Sequence, residues 1–168
     1  MTSDAEFTQL LARHAGVLHQ IARGYAWSPA DRADLLQEIR LQLWRSFPKW
    51  QRELPFATWM YRVALNVAIG QLRRATAAQR DVHATESIGD DRMPDPACDG
   101  GADGDRLRTL WTLLQRLPEL DRALMLMALD GQDSAVIGAA LGLSLSNVGT
   151  RLQRLKLRLA EAYRKESA

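Results

Sequence analysis

The sequence predicts an all-α protein with two small helical domains joined by a flexible acidic linker, the C-terminal domain containing a helix-turn-helix. Apolar residues recur at helical spacing along most of the 168 residues, and no stretch shows convincing alternation of β-branched residues. A Gly/Pro-rich acidic stretch interrupts this pattern, and two short helical patterns flank Gly142 near the C-terminus. These three observations predict the two domains and their order.

The first domain is predicted to span residues 1–82 and to contain three helices. Helical periodicity places the first over about 7–25 and the second over about 29–47, where Pro48 ends it. The third begins after Pro55 and continues to about residue 80.

The linker is predicted over residues 83–105, which contain 1 basic and 7 acidic side chains. Its glycines, prolines and few apolar residues cannot form a core. The flanking segments are basic, with 11 basic and 7 acidic side chains in residues 1–82 and 10 and 6 in residues 106–168. Basic domains favour a polyanionic partner, whereas an acidic linker favours a positively charged surface.

The second domain is predicted over residues 106–168. Pro118 lies at the start of one helix, where its missing N–H is not needed, and Gly131 follows the end of that helix. The expected helices cover about 105–116, 119–129, 134–141 and 145–164.

The last two of these helices form the predicted helix-turn-helix. Gly142 tolerates the positive φ of the turn, and the Ser144 hydroxyl can cap the second helix. One stripe of that second helix is apolar, and the opposite one offers an amide and three guanidinium groups, which suit the edges of bases and the phosphates of a DNA major groove. The alternative is a solvated face of a small bundle. The apolar stripe is Val148, Leu152, Leu155 and Leu159, and the polar one is Asn147, Arg151, Arg154 and Arg158.

The second helix of the first domain contains two carboxylates one turn apart, Asp34 and Glu38. Such a pair can serve acid–base chemistry, but most pairs only decorate a solvated helix. Trp44 and Phe47 follow on the same segment. A surface that mixes acidic, amide and aromatic groups is more typical of a protein-docking patch than of a catalytic site.

Aromatic residues alternate with Lys and Arg from residue 47 to residue 74. Rings that stack on exposed bases beside cations that hold phosphates are typical of a site for single-stranded or melted DNA. The spacing of Phe56 and Trp59 favours a core position for both, whereas Trp50 lies between prolines and is the best candidate for an exposed ring.

Several classes of protein are excluded by composition. No apolar run is long enough to span a bilayer, and the N-terminus lacks the basic start of a signal peptide, so a cytoplasmic location is expected. The single cysteine, Cys98, cannot form an internal disulfide, and the three histidines show no zinc-ligand spacing. Neither a metal nor another cofactor is expected.

Taken in order, these motifs resemble an extracytoplasmic-function (ECF) RNA polymerase sigma factor. The resemblance covers nearly the whole chain and depends on several partial motifs in the right order: residues 34–38 (DLLQE), 56–66 (FATWMYRVALN), 73–74 (RR) and 117–122 (LPELDR), followed by the helix-turn-helix.

The resemblance implies roles for particular residues. It assigns docking on the β′ clamp helices of RNA polymerase to Asp34, Leu35, Gln37, Glu38 and Leu41. It assigns capture and opening of the promoter −10 element to Lys49, Trp50, Arg52, Arg62, Asn66, Arg73 and Arg74. Recognition of the −35 element falls to Ser146, Asn147, Thr150, Arg151, Arg154 and Arg158. It further implies contact with the β flap, passage of the acidic linker toward the polymerase active site and RNA exit path, and control by an anti-sigma factor.

Two departures from the family pattern lie in the helix-turn-helix. The chain has Val136, Ile137 and Gly138 where the family usually has Glu-Ile-Ala, and Gly149 where it often has a cation. A glycine within the recognition helix, as at Gly149, costs about 1 kcal/mol relative to alanine, which suggests either close backbone approach or a weaker helix.

Two other classes of function remain as alternatives. A stand-alone helix-turn-helix repressor or activator would bind a symmetric operator without polymerase, but it would not require the Trp-rich basic loop. A small α-helical enzyme could use Asp34 and Glu38, but no nucleophile, glycine-rich phosphate loop or metal cluster accompanies them.

Overall fold

The computed structural model describes residues 3–82 and 102–166, and these residues are all-α, as predicted. A short 3-10 helix, Phe47–Lys49, follows the third α-helix. The α-helices are α1 (Ser3–Arg13), α2 (Ala15–Tyr25), α3 (Pro29–Ser46), α4 (Phe56–Val82), α5 (Ala102–Gln115), α6 (Glu119–Leu129), α7 (Ser134–Leu141) and α8 (Leu145–Glu166).

The chain divides into two compact units. Among the described residues, unit 1 comprises 3–49 and 63–82, and unit 2 comprises 50–62 and 102–166. The Trp50–Arg62 segment, which the sequence prediction grouped with the first domain, therefore belongs to unit 2.

Most of the predicted acidic linker lies outside the described residues, which resume at residue 102. Residues 102–105, assigned to the linker from the sequence, form the first turn of α5. His83 and Cys98 also lie outside the described residues.

The predicted helix over residues 7–25 is two helices that meet at His14. The backbone of His14 leaves the helical region, with φ −113° and ψ 12°, and its N–H bonds to the Leu11 carbonyl at 3.1 Å in a tighter turn. Hydrophobic periodicity continues across such a break, so the sequence pattern does not reveal the break at His14.

The core of unit 1 is formed by the inner faces of its helices. The Phe7 and Phe47 rings contact each other, with centroids 5.1 Å apart, so the short 3-10 helix is held against α1. Other buried side chains are Leu18, Ile21, Leu35, Ile39, Leu43, Leu65 and Ala68. This packing fixes which face of α3 is turned toward solvent.

Polar groups fix the start of α3. The Ser28 hydroxyl accepts from the Asp31 N–H at 3.0 Å, and Pro29 occupies the first turn, where no N–H is needed. The Arg32 guanidinium donates to the Ala26 and Trp27 carbonyls at 3.2 and 3.0 Å, and so satisfies acceptors just after α2.

The core of unit 2 is apolar and includes Leu114, Leu124, Met127, Ile137, Val148 and Leu155. One charged side chain is buried with them. Arg122 is 5% exposed and donates to the Gln115 and Leu117 carbonyls at 2.5 and 3.0 Å. A cation on the last carbonyls of α5 also compensates the negative end of that helix dipole.

The turn between α7 and α8 has the geometry that the sequence predicts. Gly142 adopts φ +70°, and the Ser144 hydroxyl accepts from the Asn147 N–H at 3.3 Å, so the predicted cap is confirmed. Gly138 makes the tightest contact, because a Cβ atom there would lie 2.6 Å from the Leu143 carbonyl oxygen. Of the two glycines that depart from the family pattern, Gly138 is therefore a close-approach position, whereas Gly149 is not.

Candidate functional site

The first candidate surface is the outer face of α3. Asp34, Gln37 and Glu38 are exposed on it, and Leu41 is 38% exposed despite its apolar side chain. Leu35, which the resemblance assigns to the same surface, is 1% exposed and packs in the core of unit 1. Its side chain supports the helix from behind.

Trp44 extends this face and is absent from the set of residues that the resemblance assigns. Its side chain is 53% exposed and lies three residues after Leu41, so the two are neighbours on the helix surface. Exposed aromatic and aliphatic side chains bordered by polar groups are typical of a protein–protein contact, which has an apolar centre and a polar rim. The signal in the sequence was a large aromatic residue that continues a polar face.

A groove lies in unit 1 between α3 and α4 and encloses about 360 Å³. It is lined by Glu38, Gln42, Ser46, Val63, Asn66, Val67, Gly70 and Arg74. Two sets of predicted site residues therefore meet in one place: Glu38 from the docking surface, and Asn66 and Arg74 from the DNA-binding set. Arg73 is exposed on the same stretch of α4.

The loop that begins at Trp50 is closed by its own side chains. The Trp50 indole N–H donates to the Leu54 carbonyl at 3.0 Å, and its ring lies 5.5 Å from Phe56 and 6.0 Å from Trp59 between centroids. The Arg52 guanidinium lies 5.2 Å from the centroid of the Trp50 ring, and Arg52 has a φ of 59°. Trp50 is half-buried rather than the freely exposed ring that its position between prolines suggests.

In unit 2 the first turns of α4 contact the helix-turn-helix region. The exposed Arg62 guanidinium donates to the Ala139 carbonyl, and the Tyr61 hydroxyl donates to the Asp130 carboxylate. Burial raises the pKa of Tyr61, and the hydrogen bond to Asp130 and the negative charge of that carboxylate raise it further. The phenol therefore stays protonated and a donor at neutral pH.

The last candidate surface is the solvent side of α8. Asn147, Thr150, Arg154 and Arg158 are exposed, as is Ser146. The first two turns of the helix are uncharged up to Thr150, and the following turns contain the cations. Toward the C-terminal end, the pKa of Glu161 is lowered by its hydrogen bond to Lys165.

Arg151 differs from the other cations of this helix. Its guanidinium lies 3.2 Å from the carboxylate of Asp121, which is 13% exposed in the first turn of α6. Because this ion pair is partly buried, water and salt screen it less than they screen a fully solvated pair. Arg151 thus joins α8 to α6, and neither Asp121 nor Arg122 was among the predicted site residues.

No group of three or more His, Cys, Asp or Glu residues that could hold a metal ion is found in 3–82 and 102–166. Over the same residues no single helix is long and apolar enough to cross a membrane, although the bent pair α7 and α8 passes that test by length and composition when taken together.

The two parts of the chain match two known families. Residues 10–78 match the family described as Sigma-70 region 2, and residues 107–159 match the family described as Sigma-70, region 4.

Similar proteins span most of the chain. The chain is 30% identical over 156 residues to the ECF RNA polymerase sigma factor SigM of Mycobacterium tuberculosis, covering 92% of the chain and 75% of that protein. It is 26% identical over 162 residues to the RNA polymerase sigma factor CnrH of Cupriavidus metallidurans, covering 92% and 84%.

Two solved structures share the fold. The structure of CnrH in complex with the cytosolic domain of CnrY matches with a TM-score of 0.65 and 24% identity, over 92% of this chain and 85% of that one. The sigma factor RpoE of Bartonella quintana, in complex with the anti-sigma factor NepR, matches with a TM-score of 0.76 and 19% identity, over 95% and 97%.

Proposed function

Because the chain belongs to the ECF RNA polymerase sigma factors, we propose a specific division of work among its three surfaces. As a member of this family the protein is a transcription initiation factor that binds core RNA polymerase and recognises promoter DNA. The assignment of each step to particular residues is our proposal.

The outer face of α3 is the proposed contact with the β′ clamp helices of the polymerase. The observation that supports this role is the exposure of Leu41 and Trp44 beside Asp34, Gln37 and Glu38, on a helix whose opposite face is buried. Covering such apolar side chains with a partner removes them from water, which makes the free energy of binding more favourable. Leu35 contributes by holding α3 on the core.

The loop after Lys49 and the exposed side of α4 are the proposed −10 site. Rings and cations are adjacent in this segment, as an unpaired strand requires, and Asn66 opens onto the α3–α4 groove. In this proposal Asn66, Arg62 and Trp50 act at the unpaired bases, whereas Lys49, Arg52, Arg73 and Arg74 hold phosphates. The phosphate contacts strengthen binding to every promoter, and the base contacts select among promoters.

The exposed side of α8 is the proposed −35 site, with Ser146, Asn147 and Thr150 near base edges and Arg154 and Arg158 at phosphates. Arg151 belongs to the same proposed site, and its guanidinium also pairs with Asp121 of α6. The β flap is the proposed polymerase contact of this part of the chain.

The proposed domain limits are 1–82, 83–105 and 106–168, and the matches over 10–78 and 107–159 lie within the first and third.

Control by an anti-sigma factor is part of the proposal. Two proteins of the same fold were solved in complexes, CnrH with the cytosolic domain of CnrY and RpoE with NepR. A partner of this kind would cover the polymerase-binding surface and keep the protein inactive.

We further propose that the chain acts in the cytoplasm, where it meets polymerase and DNA, and that it has no catalytic activity of its own.

The test is binding to purified core RNA polymerase. Glu38→Ala is expected to weaken the complex, whereas Glu53→Ala, which removes the same charge from an exposed loop position, is the matched control. Asn66→Ala is expected to bind polymerase normally and to change which promoters are transcribed. If core polymerase does not bind the chain and initiates no RNA synthesis in its presence, the proposal is wrong. If Asn66→Ala transcribes every promoter as the parent does, only the −10 assignment is wrong.

A further inference from the structure

The outward face of α8 includes a residue that the basic stripe does not contain. Val148, Leu152 and Leu155 are buried against the core of unit 2. At about 100° per residue, the direction opposite to these three is occupied by Ser146, Thr150 and Leu157, and Gln153 lies beside it. All four side chains are exposed. Gln153 is thus the last uncharged polar side chain on this face before the apolar Leu157.

Gly149 leaves space next to Gln153. A helical side chain leans toward the helix N-terminus, over the residue four positions earlier, and for Gln153 that residue is Gly149. Apart from Gly149 itself, its two chain neighbours and the backbone of the helix, no heavy atom lies within 4 Å of the position that a Cβ would take there. A long amide side chain can therefore reach toward the end of α8 that enters a major groove, with no neighbouring side chain in the way.

Arg151, in contrast, is engaged within the protein. Its guanidinium is 3.2 Å from Asp121, and its side chain is 35% exposed. To reach a base, it would have to leave a carboxylate that is itself mostly shielded from water. Arg151 is the first cation of α8, since residues 145–150 are uncharged, and Arg154 and Lys156 follow it.

We propose that Gln153 is a specificity-determining residue that reads a base edge of the −35 element, and that Arg151, held by Asp121, positions the recognition helix. A glutamine amide donates to N7 and accepts from N6 of adenine, so the preferred base at the contacted position is adenine. The inference rests on the proposed role of α8 at the −35 element.

The experiment uses the complete chain reconstituted with core polymerase and a promoter library randomised at both elements. Gln153→Ala is expected to reduce the base preference at one −35 position from about fivefold or more to near uniformity, since a good base contact is worth at least a factor of that size. The other −35 positions and the −10 element keep their preferences. Gln153→Arg is expected to favour guanine at that same position.

Lys156→Ala is the control for charge and for the folding of α8, because Lys156 is exposed near the edge of the apolar stripe. It is expected to leave the base preferences at both elements unchanged. Asp121→Ala and Arg151→Ala are expected to behave similarly and also to lower the melting temperature, which a base-reading role alone would not require.

Two results would overturn the inference and leave the proposed function standing. One is an unchanged −35 profile for both Gln153 variants while the wild-type chain shows clear −35 preferences. The other is a base preference lost in Arg151→Ala and kept in Gln153→Ala, which would assign the reading to Arg151. A wild-type chain with no upstream preference at all would contradict the proposed −35 role of α8 as well.

Discussion

Two glycines of the helix-turn-helix show how far one residue type depends on its surroundings. Gly138 faces the Leu143 carbonyl so closely that a Cβ would meet it at 2.6 Å, whereas Gly149 has open space on the side where a Cβ would lie. Both depart from the family pattern, but for different reasons. Gly138 allows the turn to close, and Gly149 leaves the face of α8 bare.

This difference predicts opposite effects of the same substitution. Gly138→Ala is expected to lower the free energy of unfolding by about 1–3 kcal/mol, because the backbone oxygen of Leu143 must move. Gly149→Ala, the matched control, is expected to raise it by up to about 1 kcal/mol, because alanine favours the helix. Chemical denaturation followed by circular dichroism measures both. Equal stability of the two variants would contradict the close contact at Gly138.

Tyr61 ties stability to alkaline pH. Burial raises the pKa of its phenol above the ordinary value, with Asp130 adding to the effect. A group whose pKa is higher in the folded state contributes stability that is complete below the unfolded pKa, about 10 for tyrosine, and is lost as the pH rises above it.

The free energy of unfolding is therefore expected to fall as the pH rises above about 10, and to fall less steeply in Tyr61→Phe. Denaturation of both proteins across this range is the measurement. Absorbance at 295 nm adds a direct check, because Tyr61 should ionise only when the protein unfolds. Identical slopes for the two proteins would show that Tyr61 does not titrate with unfolding.

At the scale of the element, α3 has two distinct faces. Leu35, Ile39 and Leu43 are buried, and Leu41 and Trp44 are exposed on the other side. A helix with apolar residues on both sides is packed on one of them and available for a partner on the other.

Truncation of the exposed pair is expected to weaken polymerase binding without unfolding the helix. Trp44→Ala should raise the dissociation constant for core polymerase by about tenfold or more, as truncation of a central aromatic contact does in other interfaces. Arg40→Ala, also exposed on α3, is the control and should change it little. Titration of core polymerase into labelled protein gives the constants. Equal affinity of Trp44→Ala and the parent would remove Trp44 from the interface.

The element scale also explains why the start of α6 matters. Asp121 and Arg122 are adjacent in its first turn, but one pairs with Arg151 of α8 and the other caps the end of α5. Successive residues on a helix point about 100° apart, so one turn can hold two neighbours at once. The orientation of the recognition helix therefore depends on a helix that does not touch DNA in our proposal.

At the scale of the whole molecule, charge is arranged by segment: two basic segments flank an acidic one. Each proposed DNA-binding surface is small, and the sequence predicts a flexible linker between the two domains that carry them. In our proposal polymerase sets the separation of the two contacts, so that the second forms at a high effective concentration.

The free chain is therefore expected to bind promoter DNA weakly and with strong salt dependence, and core polymerase should raise the affinity by about a hundredfold or more. Fluorescence anisotropy with labelled promoter DNA, measured over a range of salt concentrations, tests this. A non-promoter duplex of the same length is the control. Tight, sequence-specific binding by the free chain to a symmetric site would instead support a stand-alone regulator.

Much of the fold was readable from the sequence alone. Proline, glycine and capping residues act locally, so Pro48, Gly142 and Ser144 indicate the end or start of helices without reference to the rest of the chain. The all-α class and the helix-turn-helix followed from periodicity, and the family from the resemblance of several motifs, in their order, to those of known sigma factors. The exposed polar residues of α3 and α8 followed for the same reason, since a helical repeat defines faces.

Tertiary structure alone decided what each face meets. Periodicity cannot show that Asp121 pairs with Arg151 thirty positions later, that Leu35 lies beneath the docking surface, or that the Trp50 ring packs on Phe56 and Trp59. The break at His14 and the close approach at Gly138 belong to the same class. Local chemistry determines where a helix begins and which sides it has, whereas contacts between distant residues depend on how the helices cross.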